Sequence, residues 1–71
     1  MQREAKIHCL CASGVDRIAE IAFTSGKNCC GLIMSDSDRY VVFVNGKHSD
    51  AVRVYNALKA NGILIVYTEG V

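Results

Sequence analysis

The most constraining feature of this chain is the order of its apolar segments. Six of them, separated by glycine or by small polar residues, fill 71 residues. In Lys6–Ala12, Ile7, Cys9 and Cys11 alternate with His8, Leu10 and Ala12, which makes a strand with two mostly apolar faces. Ser13-Gly14 breaks it. Val15, Ile18, Ala19, Ala22 and Phe23 then form a helical stripe within 15–25, with Gly26 at the C-terminal cap position. Cys30–Met34 reads as a second strand, and Ser35-Asp36-Ser37-Asp38 as a hairpin turn. Arg39–Val44 (RYVVFV), dense in β-branched and aromatic residues, is a third strand. Asn45-Gly46-Lys47-His48 is a loop. Ser49 is placed to cap a helix over Asp50–Ala60, whose Ala51, Val54, Tyr55 and Leu58 fall at i, i+3, i+4 and i+7. After Asn61-Gly62, Ile63–Thr68 makes the last strand.

Strand, helix, strand, strand, helix, strand is the order of an α+β, ferredoxin-like βαββαβ sandwich. Right-handed crossovers place its antiparallel strands in the order 4-1-3-2 with both helices on one face. At this length residues 1–71 make a single domain. A sheet covered on one side should alternate apolar and polar residues. Leu32–Met34, Val41–Val44 and Ile63–Val66 do not alternate. The uncovered face is therefore expected to carry apolar side chains, either Val41 or Val42 marking the outward set, and to serve as an interface between copies of the chain.

Charge and chemistry narrow the function. Eight Lys+Arg against seven Asp+Glu leave a formal net charge of +1, and the basic residues are scattered singly. That argues against a protein that neutralises many phosphates. The RNA-recognition motif shares this topology, and Tyr40 and Phe43 on the third strand make a partial match to its stacking residues, but Lys6–Ala12 offers no aromatic. The four cysteines, Cys9, Cys11, Cys29 and Cys30, lack the C-x-x-C spacing of a zinc site. Ala12-Ser13-Gly14-Val15 fills the place where a copper carrier of this topology has its C-x-x-C. With a strand between them, the two cysteine pairs lie beyond disulfide reach, and Cys9 and Cys11 read as small buried hydrophobes. His8 neighbours Cys9 but points to the other face, and no carboxylate is spaced to orient His8 or His48. Asp36 and Asp38 alone make a solvated turn. The reading is of a chain without catalytic chemistry, metal or cofactor. No apolar run approaches the roughly 18 residues of a membrane span, and Met1-Gln2-Arg3-Glu4-Ala5-Lys6 carries no apolar leader. A cytoplasmic chain with reduced thiols is expected.

The details resemble an ACT domain, a small regulatory module that binds amino acids and related effectors. The resemblance runs from Lys6 to Val71. It rests on Ser13-Gly14-Val15-Asp16-Arg17-Ile18-Ala19-Glu20-Ile21 followed by Gly26-Lys27-Asn28, and on SDSDRYVVFV, NGKHSD, AVRVYNALKANG and ILIVYTEGV. It implies a homo-oligomeric regulatory module taking a small effector of the amino-acid class at a subunit interface. Ser13, Gly14, Val15 and Asp16 would form one part of the site, and Asn28, Cys29 and Cys30 would complete it with a second subunit. Ser13 and Asp16 also have the spacing of a capping box, in which Ser13 bonds the Asp16 N–H.

Overall fold

Alternation decides which side of each strand is buried. The computed structural model describes residues 3–26, 28–34 and 37–71. The chain runs β1 (Arg3–Leu10), a 3-10 turn (Cys11–Ser13), α1 (Val15–Ser25), β2 (Cys29–Met34), β3 (Arg39–Gly46), α2 (His48–Ala60) and β4 (Ile65–Glu69). The four strands form one antiparallel sheet in the order β2-β3-β1-β4, the expected order read from the other edge.

Cross-strand register assigns the faces. Ala5, Ile7 and Cys9 pair with Val44, Val42 and Tyr40, and all six are buried under the helices. Ile18 and Ala22 of α1 and Ala51, Val54 and Leu58 of α2 complete that core. The opposite face, which no helix covers, carries Lys6, His8 and Leu10 of β1, Val41 and Phe43 of β3, and Cys30, Leu32 and Met34 of β2. Val42 and Val44 are thus core, and Val41 marks the open face. Val41 is nevertheless buried there. The exposed large apolar residues sit on the two edge strands and beside them: Leu32, Ile33 and Met34 at β2, and Leu64, Val66 and Tyr67 at β4. Phe23, expected in the α1 stripe, points to solvent.

Several element boundaries differ from the periodicity, each for a local reason. β1 begins at Arg3 and stops at Leu10, because Cys11 turns away: its N–H donates to the Asp38 carbonyl (3.0 Å) and its carbonyl accepts from Gly14 (2.9 Å). Cys9 is a buried hydrophobe as expected, whereas Cys11 sits half-buried in the turn. α2 starts two residues early, at His48, because the Asp50 carboxylate accepts the Lys47 N–H (3.1 Å); Ser49 lies in the first turn and is not the cap. β3 continues to Gly46, and β2 takes in Cys29. β4 starts at Ile65. Its register against β1 shifts within the strand, between Tyr67 opposite His8 and Ile65 opposite Cys9; just before it, Ile63 is buried and the Leu64 carbonyl accepts the Leu10 N–H (2.9 Å). Of the hairpin turn, Ser37 and Asp38 are described; Ser35 and Asp36 lie outside the described residues.

Gly26 does not take a left-handed cap conformation. Its φ is −147°, open to any residue, and its glycine has a packing reason: a Cβ there would meet Val54 Cγ2 at 2.6 Å. The left-handed residue of this connection is Asn28 (φ 57°), a residue type that tolerates it.

Candidate functional site

The pairings Glu4↔Asn45 and Cys30↔Phe43 bring three strands together at one end of the open face. Asn28 joins them through its left-handed turn, where its carbonyl accepts the Asn45 N–H at 3.2 Å. These residues and Cys29 line an open depression of about 510 Å³. Small-molecule sites span roughly 300–1,000 Å³. Its chemistry is mixed. Glu4 supplies a carboxylate, Asn28 and Asn45 supply amides, and Phe43 supplies an apolar wall. The Lys6 ammonium stands 5.9 Å from the centre of the Phe43 ring, a cation–π distance. A cation and an anion therefore flank one aromatic surface.

Asn28, Cys29 and Cys30 were expected at the site and do line this depression. Ser13, Gly14, Val15 and Asp16 lie at the other end of the sheet. Cys29 is level with Ala5 through Val44, and the five steps from Ala5 to Leu10 span about 17 Å before the Ser13 turn begins. One chain does not bring the two groups together. The capping box between Ser13 and Asp16 is also absent. The Ser13 hydroxyl accepts the Leu64 N–H (2.9 Å), tying the turn to the segment before β4, and the N-cap of α1 is Gly14 with no side-chain bond. Val15 packs half-buried against the core, and Asp16 is exposed in the first helical turn.

Gly14 has φ +97°, and a Cβ there would meet only Arg17 Cβ at an ordinary 3.6 Å. The position therefore selects glycine through its backbone and not through space. Gly14→Val should cost roughly 1–3 kcal/mol, the usual cost of a strained φ, and lower the melting temperature by roughly 5–20 °C. Thermal unfolding followed by circular dichroism checks this, and an unchanged midpoint would contradict it.

A second cluster occupies the middle of the open face. His8 is 6% exposed and stacks on Tyr67 with ring centres 4.1 Å apart and planes at 13°. Its Nε2 bonds Glu69 Oε2 at 3.1 Å, while Nδ1 is buried without a hydrogen-bond partner among the described residues. The Arg39 guanidinium lies 5.6 Å from the Tyr67 ring centre. Tyr67 is thus engaged by groups of this chain. Tyr40 is in the core on the helix side, over Gly31, while Phe43 faces away from it. The two aromatics of the RNA-like reading therefore sit on opposite faces, as residues three apart on a strand must.

None of the four cysteines is disulfide-bonded. Burial, then Cys11, pushes the Cys9 thiol up to about 11. Desolvation, then the neighbouring Asp38, raises Cys11. Burial, then Cys30 and Asp50, raises Cys29. All three shifts favour the protonated thiol, which is the weaker nucleophile. Among the described residues no three of His, Cys, Asp and Glu are grouped to hold a metal, and no helix is long and apolar enough to cross a membrane.

Sequence reasoning missed Glu4 and Asn45 at the depression. The sequence pattern puts Glu4 ahead of the first strand and Asn45 in a loop; the extra length of β1 and β3 puts them opposite each other. Comparison of the chain with protein-family models, with curated proteins and with solved structures gives no match.

Proposed function

We propose that this chain is a non-catalytic regulatory or sensing module of ferredoxin-like, ACT-like architecture that binds a small effector of the amino-acid class and works as a homo-oligomer. The observation that carries the reading is the depression at Asn28–Cys30, where Glu4 and Lys6 flank Phe43. A zwitterion with an apolar side chain fits that chemistry: its ammonium meets the Glu4 carboxylate, its carboxylate meets Lys6 and the asparagine amides, and its side chain lies on the ring. The raised cysteine thiols and the scattered charges support binding over catalysis. The cytoplasm, where thiols stay reduced, is the proposed compartment.

A thermal-shift panel of the twenty amino acids tests this. A ligand at a hundred times its Kd should add about 2.7 kcal/mol, which in a domain this small is a rise of roughly 10–20 °C. Apolar amino acids should lead the panel, and Glu4→Gln should weaken the best of them about tenfold or more. A panel without any saturable shift would refute the reading.

A further inference from the structure

On the open face Lys6 has a direct neighbour on each side. The register sets Phe43 of β3 opposite it on one side and Glu69 of β4 on the other. Opposite charges paired across strands attract, so Glu69 is the partner the register offers the Lys6 ammonium. The two do not meet. Among the described residues the only contact of ion-pair length is between His8 and Glu69. The Glu69 carboxylate takes the His8 imidazole at 3.1 Å, and the Lys6 ammonium leans the other way, 5.9 Å from the centre of the Phe43 ring.

Magnitudes decide this competition. His8 is enclosed: it is 6% exposed and lies flat on Tyr67, ring centres 4.1 Å apart, with the Arg39 guanidinium 5.6 Å from the Tyr67 ring centre. The stack fixes the plane of the imidazole. Glu69, two residues beyond Tyr67 on the same face, meets its Nε2. An ionised carboxylate only accepts, so Nε2 carries the proton. Nδ1 has no partner among the described residues, so Glu69 is the one side chain that satisfies the ring. An enclosed donor left without an acceptor shifts a folding equilibrium by roughly five- to 150-fold. An ion pair between solvent-exposed side chains is worth at most about fivefold, and the Glu69 side chain is 52% exposed. The carboxylate therefore stays on His8, and Lys6 is left without an anion.

We propose that His8 is a positioning residue of the depression: it holds Glu69 away from Lys6 and so keeps the Lys6 cation free, beside Phe43, for an anionic group of the ligand. For the effector proposed above, that group is the carboxylate. This last step rests on the effector reading of the depression; the competition between His8 and Lys6 for Glu69 does not. Without a donor at position 8, Glu69 turns to Lys6. A surface pair of this kind ties up the cation in roughly 60–85% of molecules, and an apparent Kd rises by the inverse of the competent fraction. The loss is then roughly two- to sixfold, and it disappears when the competing carboxylate is removed.

Nuclear magnetic resonance of the full chain reads the position of Lys6 without any ligand. In wild type the Lys6 Cε protons should be shifted upfield by the Phe43 ring and give a nuclear Overhauser contact to it; absence of both overturns the proposal. Glu69→Gln should leave that shift unchanged, because the carboxylate is already engaged elsewhere. A changed shift would mean that Glu69 competes for Lys6 in wild type, which also overturns it. His8→Phe removes the donor and keeps a ring to stack on Tyr67; His8→Leu removes both donor and ring. In either variant that keeps the wild-type circular dichroism spectrum, the upfield shift should fall by half or more, and adding Glu69→Gln should restore it. His8→Gln, whose amide can donate to Glu69, should keep it. A shift that persists in the apolar variants overturns the proposal. So does a loss that Glu69→Gln leaves unrestored, since position 8 would then act through packing alone. If neither apolar variant folds, the wild-type and Glu69→Gln measurements decide.

Leucine titration tests the link to the site. Affinity should fall roughly two- to sixfold in the apolar variant and return with Glu69→Gln. Equal affinity in a variant whose Lys6 shift is lost overturns the role of Lys6 in the site. A chain that binds neither leucine nor any other amino acid refutes the effector reading, and the Lys6 shift still decides the competition for Glu69.

Discussion

Gly31→Ala should lower the melting temperature by roughly 10–20 °C, although it adds one carbon at an exposed edge strand. A Cβ at Gly31 would overlap the Tyr40 phenol, at its hydroxyl, Cζ and Cε1 atoms. Tyr40 is buried on the helix side and packs in the core cluster with Val42 and Cys9. For the methyl to fit, the ring must leave that place. Overpacking of this kind costs about 2–3 kcal/mol, and each kcal/mol shifts a domain this small by roughly 4–8 °C. The cause can be isolated. Gly31→Ala combined with Tyr40→Leu should be more stable than the sum of the single effects by about 1 kcal/mol or more, since the side chain that obstructs the methyl is gone. A Gly31→Ala chain that melts with wild type would show that the ring gives way freely, and the packing account of β2 against β3 would fail.

Leu58→Ala should cost about 2–5 kcal/mol, the range for a fully enclosed leucine cut to alanine. Leu58 is completely buried, near the end of α2, with Ile7, Ile18 and Val54 in the same cluster. At 0.05–0.15 kcal/mol per residue, a 71-residue chain has a stability of about 4–10 kcal/mol. The substitution removes a large part of it. Urea unfolding should show a midpoint roughly halved at an unchanged slope. A loss below about 1 kcal/mol would mean that α2 is not anchored on the sheet through this residue.

The sheet order was legible because it follows from element order and crossover handedness, neither of which needs an exact boundary. The helices were legible for a similar reason: Ile18, Ala22, Val54 and Leu58 lie on stripes that only one face can bury. What the pattern could not reveal was which alternation set of RYVVFV turns inward, because Val41, Val42 and Val44 are all apolar. Packing settled that: Val42 and Val44 meet the helices, while Val41 is buried on the open face, where His8, Tyr67 and Arg39 pack together. Boundaries failed where a single polar bond outweighed periodicity. The Asp50 carboxylate on the Lys47 N–H starts α2 early, and the Leu64 N–H on the Ser13 hydroxyl removes the expected cap.

The candidate site was legible in half. Asn28, Cys29 and Cys30 are at the depression, but its charged and aromatic members, Glu4 and Phe43, come from strands paired at long range. Nothing local in the sequence connects Glu4 to Asn45, forty-one positions away. Ser13, Gly14, Val15 and Asp16 stand at the far end of the sheet, where the Ser13 hydroxyl and the Gly14 backbone hold the turn after β1 in place.

Amide chemical-shift mapping during a titration with leucine tests the central claim most directly, since it reports binding and its place together. The account predicts saturable shifts at Glu4, Lys6, Asn28, Cys29, Cys30, Phe43 and Asn45, with the amides of Ser13 to Asp16 in the same chain moving far less. 4-Methylpentanoic acid or isoamylamine, which each keep the leucine side chain and one charge of the zwitterion, should produce the same pattern only at concentrations at least tenfold higher. Shifts confined to Ser13–Asp16, shifts produced equally well by the singly charged analogues, or no saturable shifts with leucine would contradict it.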